Sequence, residues 1–207
     1  MSIAEQRSGG LSEGLRLEYF SLAYNVLEAG VGLTAGLLAG SVALTGFGLD
    51  SVVESASATV LVWRLRAESS GRHTSEEAER KAIKLVAAAV FALAAYVGVG
   101  AVVELFRGTR PEESLLGMGI AVLSLIVMPV LAARKRDLAR RLNSRALKAD
   151  SHQTILCTYL SGILLLGLLA NSLLGWWWAD PLAALGIAVL ALSEGLELWR
   201  TEDVCCS

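Results

Sequence analysis

Residues 115–133 read LLGMGIAVLSLIVMPVLAA, nineteen positions without a charge, and Arg134, Lys135 and Arg136 follow at once. A hydrocarbon core of about 30 Å is crossed by about 20 apolar residues in a helix, so this run is long enough to span one and the basic cluster marks where it leaves. Five more runs bounded by charge share the pattern: Leu17–Leu38, Leu44–Trp63, Lys84–Phe106, Leu147–Leu174 and Pro181–Trp199. The chain has 207 residues, 54% of them hydrophobic and 18% charged, against roughly 45–50% and about 25% in an average soluble domain. Six spans use about 120 residues, which leaves no room for a sizeable soluble domain. The expected fold is therefore an all-α membrane protein, a six-transmembrane-helix bundle over 17–199, with tails at 1–16 and 200–207.

Charge sets the orientation. Sixteen of the 18 Lys and Arg residues fall in the tails and in alternate connections, and only Arg107 and Arg110 fall on the other side. The positive-inside rule then expects both termini in the cytoplasm, with the cell membrane as the site of residence. Trp176, Trp177 and Trp178 read as an interfacial belt on the outer side, with Asp180 as the cap and Pro181 in the first turn of the last helix. Met1–Gly14 is polar and lacks the apolar core of a signal peptide. A net charge of −2 gives no basic surface for nucleic acid, and three cysteines form no disulfide framework.

Within spans, ionisable residues are costly and point to function. Asp50 and Glu54 in the second run are four residues apart, so both carboxylates share a helix face and can hold a divalent cation. In the fifth run Asp150, Gln153 and Cys157 form one polar stripe, whereas His152 lies about 140° from Cys157 on the helical wheel. Asp50 and Cys157 each lie about ten residues, or roughly 15 Å, from opposite faces, which puts both near the midplane. Asn25 and Glu28, one turn apart in the first run, face the bundle together.

Alternatives stay open at several positions. Cys157 also reads as a small buried apolar residue, Gln153 as an interhelical hydrogen-bonder, and His152 as a packing or headgroup contact. Glu28 reads as ligand, proton carrier or polar partner, and Asp150 as a partner of Arg145 or Lys148. The basic run Arg134–Arg145 reads as a topological signal touching anionic lipid. Cys205 and Cys206 read as soft-metal capture or as a frayed tail.

The stretch Ser41–Glu54, SVALTGFGLDSVVE, resembles the second-helix signature of the cation diffusion facilitator family, in which a His or Asp precedes an acidic residue by four positions; Asp50 and Glu54 fall on that pair. The family's fifth-helix signature, Ala-Asp followed by a His-x-x-x-Asp pair, is similar through Ala149-Asp150 and sets Gln153 and Cys157 on the paired positions. The resemblance implies a divalent cation exporter, with Asp50, Glu54, Gln153 and Cys157 as ligands; Glu28, Asn25, Asp150, His152, Cys205 and Cys206 are read as accessory positions. It implies no cofactor besides the transported cation, proton exchange by alternating access, and a homodimer.

Two departures accompany it. Gln and Cys replace His and Asp, which adds a soft sulfur donor suited to Zn²⁺ over Mg²⁺ or Mn²⁺. Only Arg200–Ser207 follow the last span, so the expected relatives are the transmembrane-only branch, dimerising through small-residue faces such as Gly30, Gly98, Gly100 or Gly186. A membrane metal sensor or scaffold of the same fold is the rival reading. An enzyme is disfavoured, since no nucleophile–base pair or metalloprotease motif is present.

Overall fold

A computed structural model describes residues 3–70 and 76–203, without the side chains of 3–8, 76–80, 82–83, 145 and 201–203. Six helices follow in order: α1 (Ile3–Ala39), α2 (Val42–Ser69), α3 (Glu76–Arg107), α4 (Leu115–Leu142), α5 (Arg145–Leu174) and α6 (Ala179–Asp203). Each contains one of the six apolar runs. Five are long and apolar enough to cross a membrane. The exception, α2, carries Asp50, Glu54, Ser51, Ser55 and Ser57 at its centre.

The helices outrun the apolar segments. α1 reaches back to Ile3 and α4 on to Leu142, because Leu11, Leu65 and Leu138, beyond the apolar runs, join Leu61 and Leu147 at the ends of theirs in a second core cluster. Glu13 and Arg141 pair beside it at 2.9 Å, but both are about half exposed, so water screens the pair and it adds little to stability. This basal end of the bundle holds the α4–α5 turn, and the apical end holds the α1–α2 turn at Gly40.

Polarity is inverted relative to a water-soluble bundle. Leu38, Leu85, Phe106, Leu115 and Leu173 are exposed on the outside, whereas Glu18, Glu28, Asp50, Glu54, Glu104, Asp150, Asp180 and Glu194 are buried inside. Among the described residues, Lys135 is the one buried cation. An apolar exterior around a carboxylate-rich interior suits lipid as the surrounding solvent.

Small residues set the closest helix contact. Gly32 and Gly36 form a G-x-x-x-G step on α1 against Thr45 and Gly48 of α2. A Cβ at Gly48 would stand 2.6 Å from the Leu33 backbone nitrogen, and one at Gly36 would stand 2.6 Å from that of Thr45. The backbones therefore touch, as small-xxx-small pairs allow in membranes.

Two expectations are corrected here. Asp180 does not cap α6: it sits inside that helix's first turn and accepts from Ser41 Oγ at 2.6 Å and from Ala43 N at 3.3 Å, so it serves the N-terminus of α2. Gly98, Gly100 and Gly186 face Ala188, Val42 and Ile163 of the same chain, so those glycines are used within the bundle; only Gly30 of the four has open space beyond it.

Gly48→Ala is expected to lower stability by about 1–3 kcal/mol through overpacking. Gly30→Ala, with nothing within 4 Å, is expected to leave it unchanged. Thermal unfolding of the two variants in one detergent checks the contrast.

Candidate metal centre

The α1–α2 contact decides what lies opposite Glu28. Glu28, Gly32 and Gly36 recur every four residues, so they share the α1 face that meets α2. Fully buried there, Glu28 accepts from Ser51 Oγ of α2 at 2.9 Å through Oε2, and from Ser124 Oγ of α4 through Oε1. Ser124 spends its proton on Glu28, which makes the Tyr24 hydroxyl, 2.9 Å away, the donor to Ser124.

Cys157 of α5 completes the convergence. Its Sγ lies 3.9 Å from Glu28 Oε2. Ligand atoms of Glu28, Glu54 and Cys157 all lie within 4.8 Å of one another, and all three residues are buried. An ion centred among atoms at that outer spacing would lie about 2.8 Å from each, so closure by about 0.5–0.8 Å reaches Zn–S and Zn–O lengths of about 2.0–2.3 Å. Glu54 Oε2 has no hydrogen-bond partner, which leaves it free to ligate.

The other expected positions are distributed around this triad. Asp50 is buried one turn from Glu54 on α2, but it is not among the three converging groups. Gln153 is half-buried and borders Glu194 of α6. Asn25 is buried one turn from Glu28 with neither amide atom hydrogen-bonded. His152 is exposed, and Cys205 and Cys206 lie outside the described residues.

Asp150 pairs not with Lys148 but with Lys135 Nζ, which also donates to Glu18 Oε2 at 3.2 Å, and the side chain of Arg145 lies outside those described. Lys135 thus departs from the topological role expected of the Arg134–Arg145 run: it points inward from α4 and is 1% exposed. The signal was its spacing, since Met128, Leu131, Lys135 and Leu138 recur at core intervals and all are buried. Glu18 was likewise readable, lying with Ser21, Asn25 and Glu28 on one α1 stripe. Glu194 carried no comparable cue beyond being an acid in an apolar run.

A six-helix membrane bundle whose interior gathers carboxylates and a thiol belongs to the multi-pass proteins that handle cations. Residues 19–202 match the cation efflux transmembrane domain, and the chain belongs to that family. It is 32% identical over 189 residues to an uncharacterized transporter, sll1263, of Synechocystis sp., covering 86% of this chain and 61% of that one. It is 26% identical over 162 residues to the cation-efflux pump FieF of Salmonella typhi, covering 77% and 54%, and 27% identical over 164 residues to FieF of Salmonella arizonae, covering 77% and 54%. The chain therefore spans just over half the length of these relatives.

Ser124→Ala removes one donor that fixes Glu28. Loss of such an outer-shell partner is expected to weaken Zn²⁺ binding by roughly 10–100-fold while the helix content is retained. Calorimetric titration beside circular dichroism checks both halves.

Proposed function

We propose that this protein moves a divalent metal cation across the membrane by alternating access in exchange for protons, with Zn²⁺ the best-supported cargo. The observation that carries the reading is the convergence of Glu28, Glu54 and Cys157 from three helices inside an apolar shell. Asp50 and Gln153 flank that position and hand the ion on. The family match and the FieF relatives support cation efflux.

The donor set argues for cargo and coupling together. A thiolate with two carboxylates favours Zn²⁺ or a softer ion over Mg²⁺. Each of these ligands must lose a proton to bind metal, so metal binding releases protons and protonation releases metal. In this reading the protein resides in the cell membrane, with α2 spanning beside the five apolar helices and the transmembrane domain running over 17–199; the charge asymmetry of the connections supports cytoplasmic termini. A homodimer would use the lipid-facing surface near Gly30, where space is open. The chain acts as a carrier and not as an enzyme.

The test is Zn²⁺ flux into proteoliposomes under a pH gradient. Glu54→Gln is expected to abolish flux and to weaken binding by more than the roughly 10–100-fold of an outer-shell loss. Asp50→Ala is expected to slow flux with less effect on binding. Flux unchanged by both substitutions would overturn the site, and binding without any flux in the intact chain would favour a sensor or scaffold.

Two further outcomes follow from the ligand chemistry. Apparent Zn²⁺ affinity is expected to fall with pH, by about tenfold per unit for each proton displaced. Cys157→Asp, an all-oxygen site, is expected to narrow the preference for Zn²⁺ and Cd²⁺ over Mn²⁺, read by competitive titration of the three ions.

A further inference from the structure

A second buried polar cluster stands apart from the three-ligand position. Lys135 Nζ of α4 donates to Glu18 Oε2 of α1 at 3.2 Å and to Asp150 Oδ2 of α5, and it lies 3.4 Å from Thr154 Oγ1. Glu18, Lys135 and Thr154 are essentially inaccessible and Asp150 nearly so. Two carboxylates and a hydroxyl from two helices thus surround one ammonium. Oxygen donors of this kind equally suit a divalent ion. Glu18 Oε1 is buried and has no partner.

The cluster is continuous with the proposed cargo site. Glu18, Ser21, Asn25 and Glu28 follow one another at helical intervals on a single face of α1, covering about 15 Å. All four are buried, and Ser21 Oγ and both amide atoms of Asn25 have no partner. Buried polar groups without partners are costly, so a column of them suits a polar occupant, water or a hydrated cation, along this face. Across the column, Thr154 borders both Lys135 and Glu54. A crevice of about 120 Å³ with Arg64, Asp150 and Gln153 in its wall reaches the cluster from the basal side.

We infer that Glu18, Asp150 and Thr154 form a second divalent-cation position between the basal end and the three-ligand site, occupied in this conformation by the tethered ammonium of Lys135, which the passing cation displaces. Its place on a route rests on the transport reading; its existence as a binding position does not. With Lys135 in place the cage keeps a single negative charge and the ammonium fills its centre, so no metal ion settles there. When a divalent cation replaces the ammonium, the two carboxylates are neutralised in full.

The experiment titrates the purified full chain with Zn²⁺. Wild type is expected to bind one tight equivalent, Lys135→Met two, and Lys135→Met with Glu18→Gln one again. A folded Lys135→Met protein that stays at one equivalent overturns the inference. If Lys135→Met does not yield folded protein, Glu18→Gln decides, because it keeps the Lys135–Asp150 pair and thins the cage to one carboxylate. Flux is then expected to fall at least tenfold with tight binding unchanged, and unaltered flux overturns the inference. Wild type that binds no metal beside Lys135→Met that binds one would uphold the cage and sink the three-ligand site instead.

Discussion

The constraint behind the rest of the structure is the placement of carboxylates where water cannot solvate them. An isolated buried carboxylate is strongly disfavoured, so each must find a cation, a set of donors or a proton. Asp180 takes the hydroxyl and backbone donors at the start of α2, where the helix dipole also favours negative charge. Glu18 and Asp150 share Lys135, and Glu28 holds two hydroxyls. Glu54, Glu104 and Glu194 each retain an oxygen with no partner. Among the described residues, only Glu54 of these three also has other metal-ligand atoms gathered around it.

That gathering depends on backbone contact and not on side-chain length. Glu28 and Glu54 are on different helices, and a metal site tolerates errors of only a few tenths of an ångström in ligand distance. Gly32, Gly36 and Gly48 let α1 and α2 approach until the chains touch, which fixes where Glu28 stands relative to Ser51 and Glu54. α4 then supplies Ser124, and α5 supplies Cys157. The packing that holds the bundle together is therefore the same packing that sets the ligand geometry.

The apolar runs made the six helices legible, because lipid demands length and apolarity and both are linear in the chain. The face shared by Asp50 and Glu54, the inward stripe of Asp150 and Cys157, and the outward His152 were legible too, since helical phase follows from spacing alone. Pairings between helices were not. Nothing in the spacing says that Glu28 meets Cys157, 129 residues on. Lys135 stayed hidden for a different reason: it sits among Arg134, Arg136, Arg140 and Arg141, where charge alone reads as topology, and only its phase against Met128, Leu131 and Leu138 sets it apart.

Stability does not account for that lysine. A buried ion network loses desolvation free energy of several kcal/mol per ion, and replacing such a network with apolar residues of similar volume is often neutral or stabilising by about 1–4 kcal/mol. The neighbouring core already packs without it: Met128, Leu131 and Leu138 fill the same α4 face, and Leu147 closes the basal end. Nor does the network satisfy its own members, since one oxygen of Glu18 stays unpartnered beside Ser21 and Asn25. A core assembled only for cohesion would have placed leucine at 18, 135 and 150. The charges persist where cohesion gains least from them, on and against the face of α1 that leads from the basal end to Glu28, and that position suits the handling of a cation better than it suits cohesion.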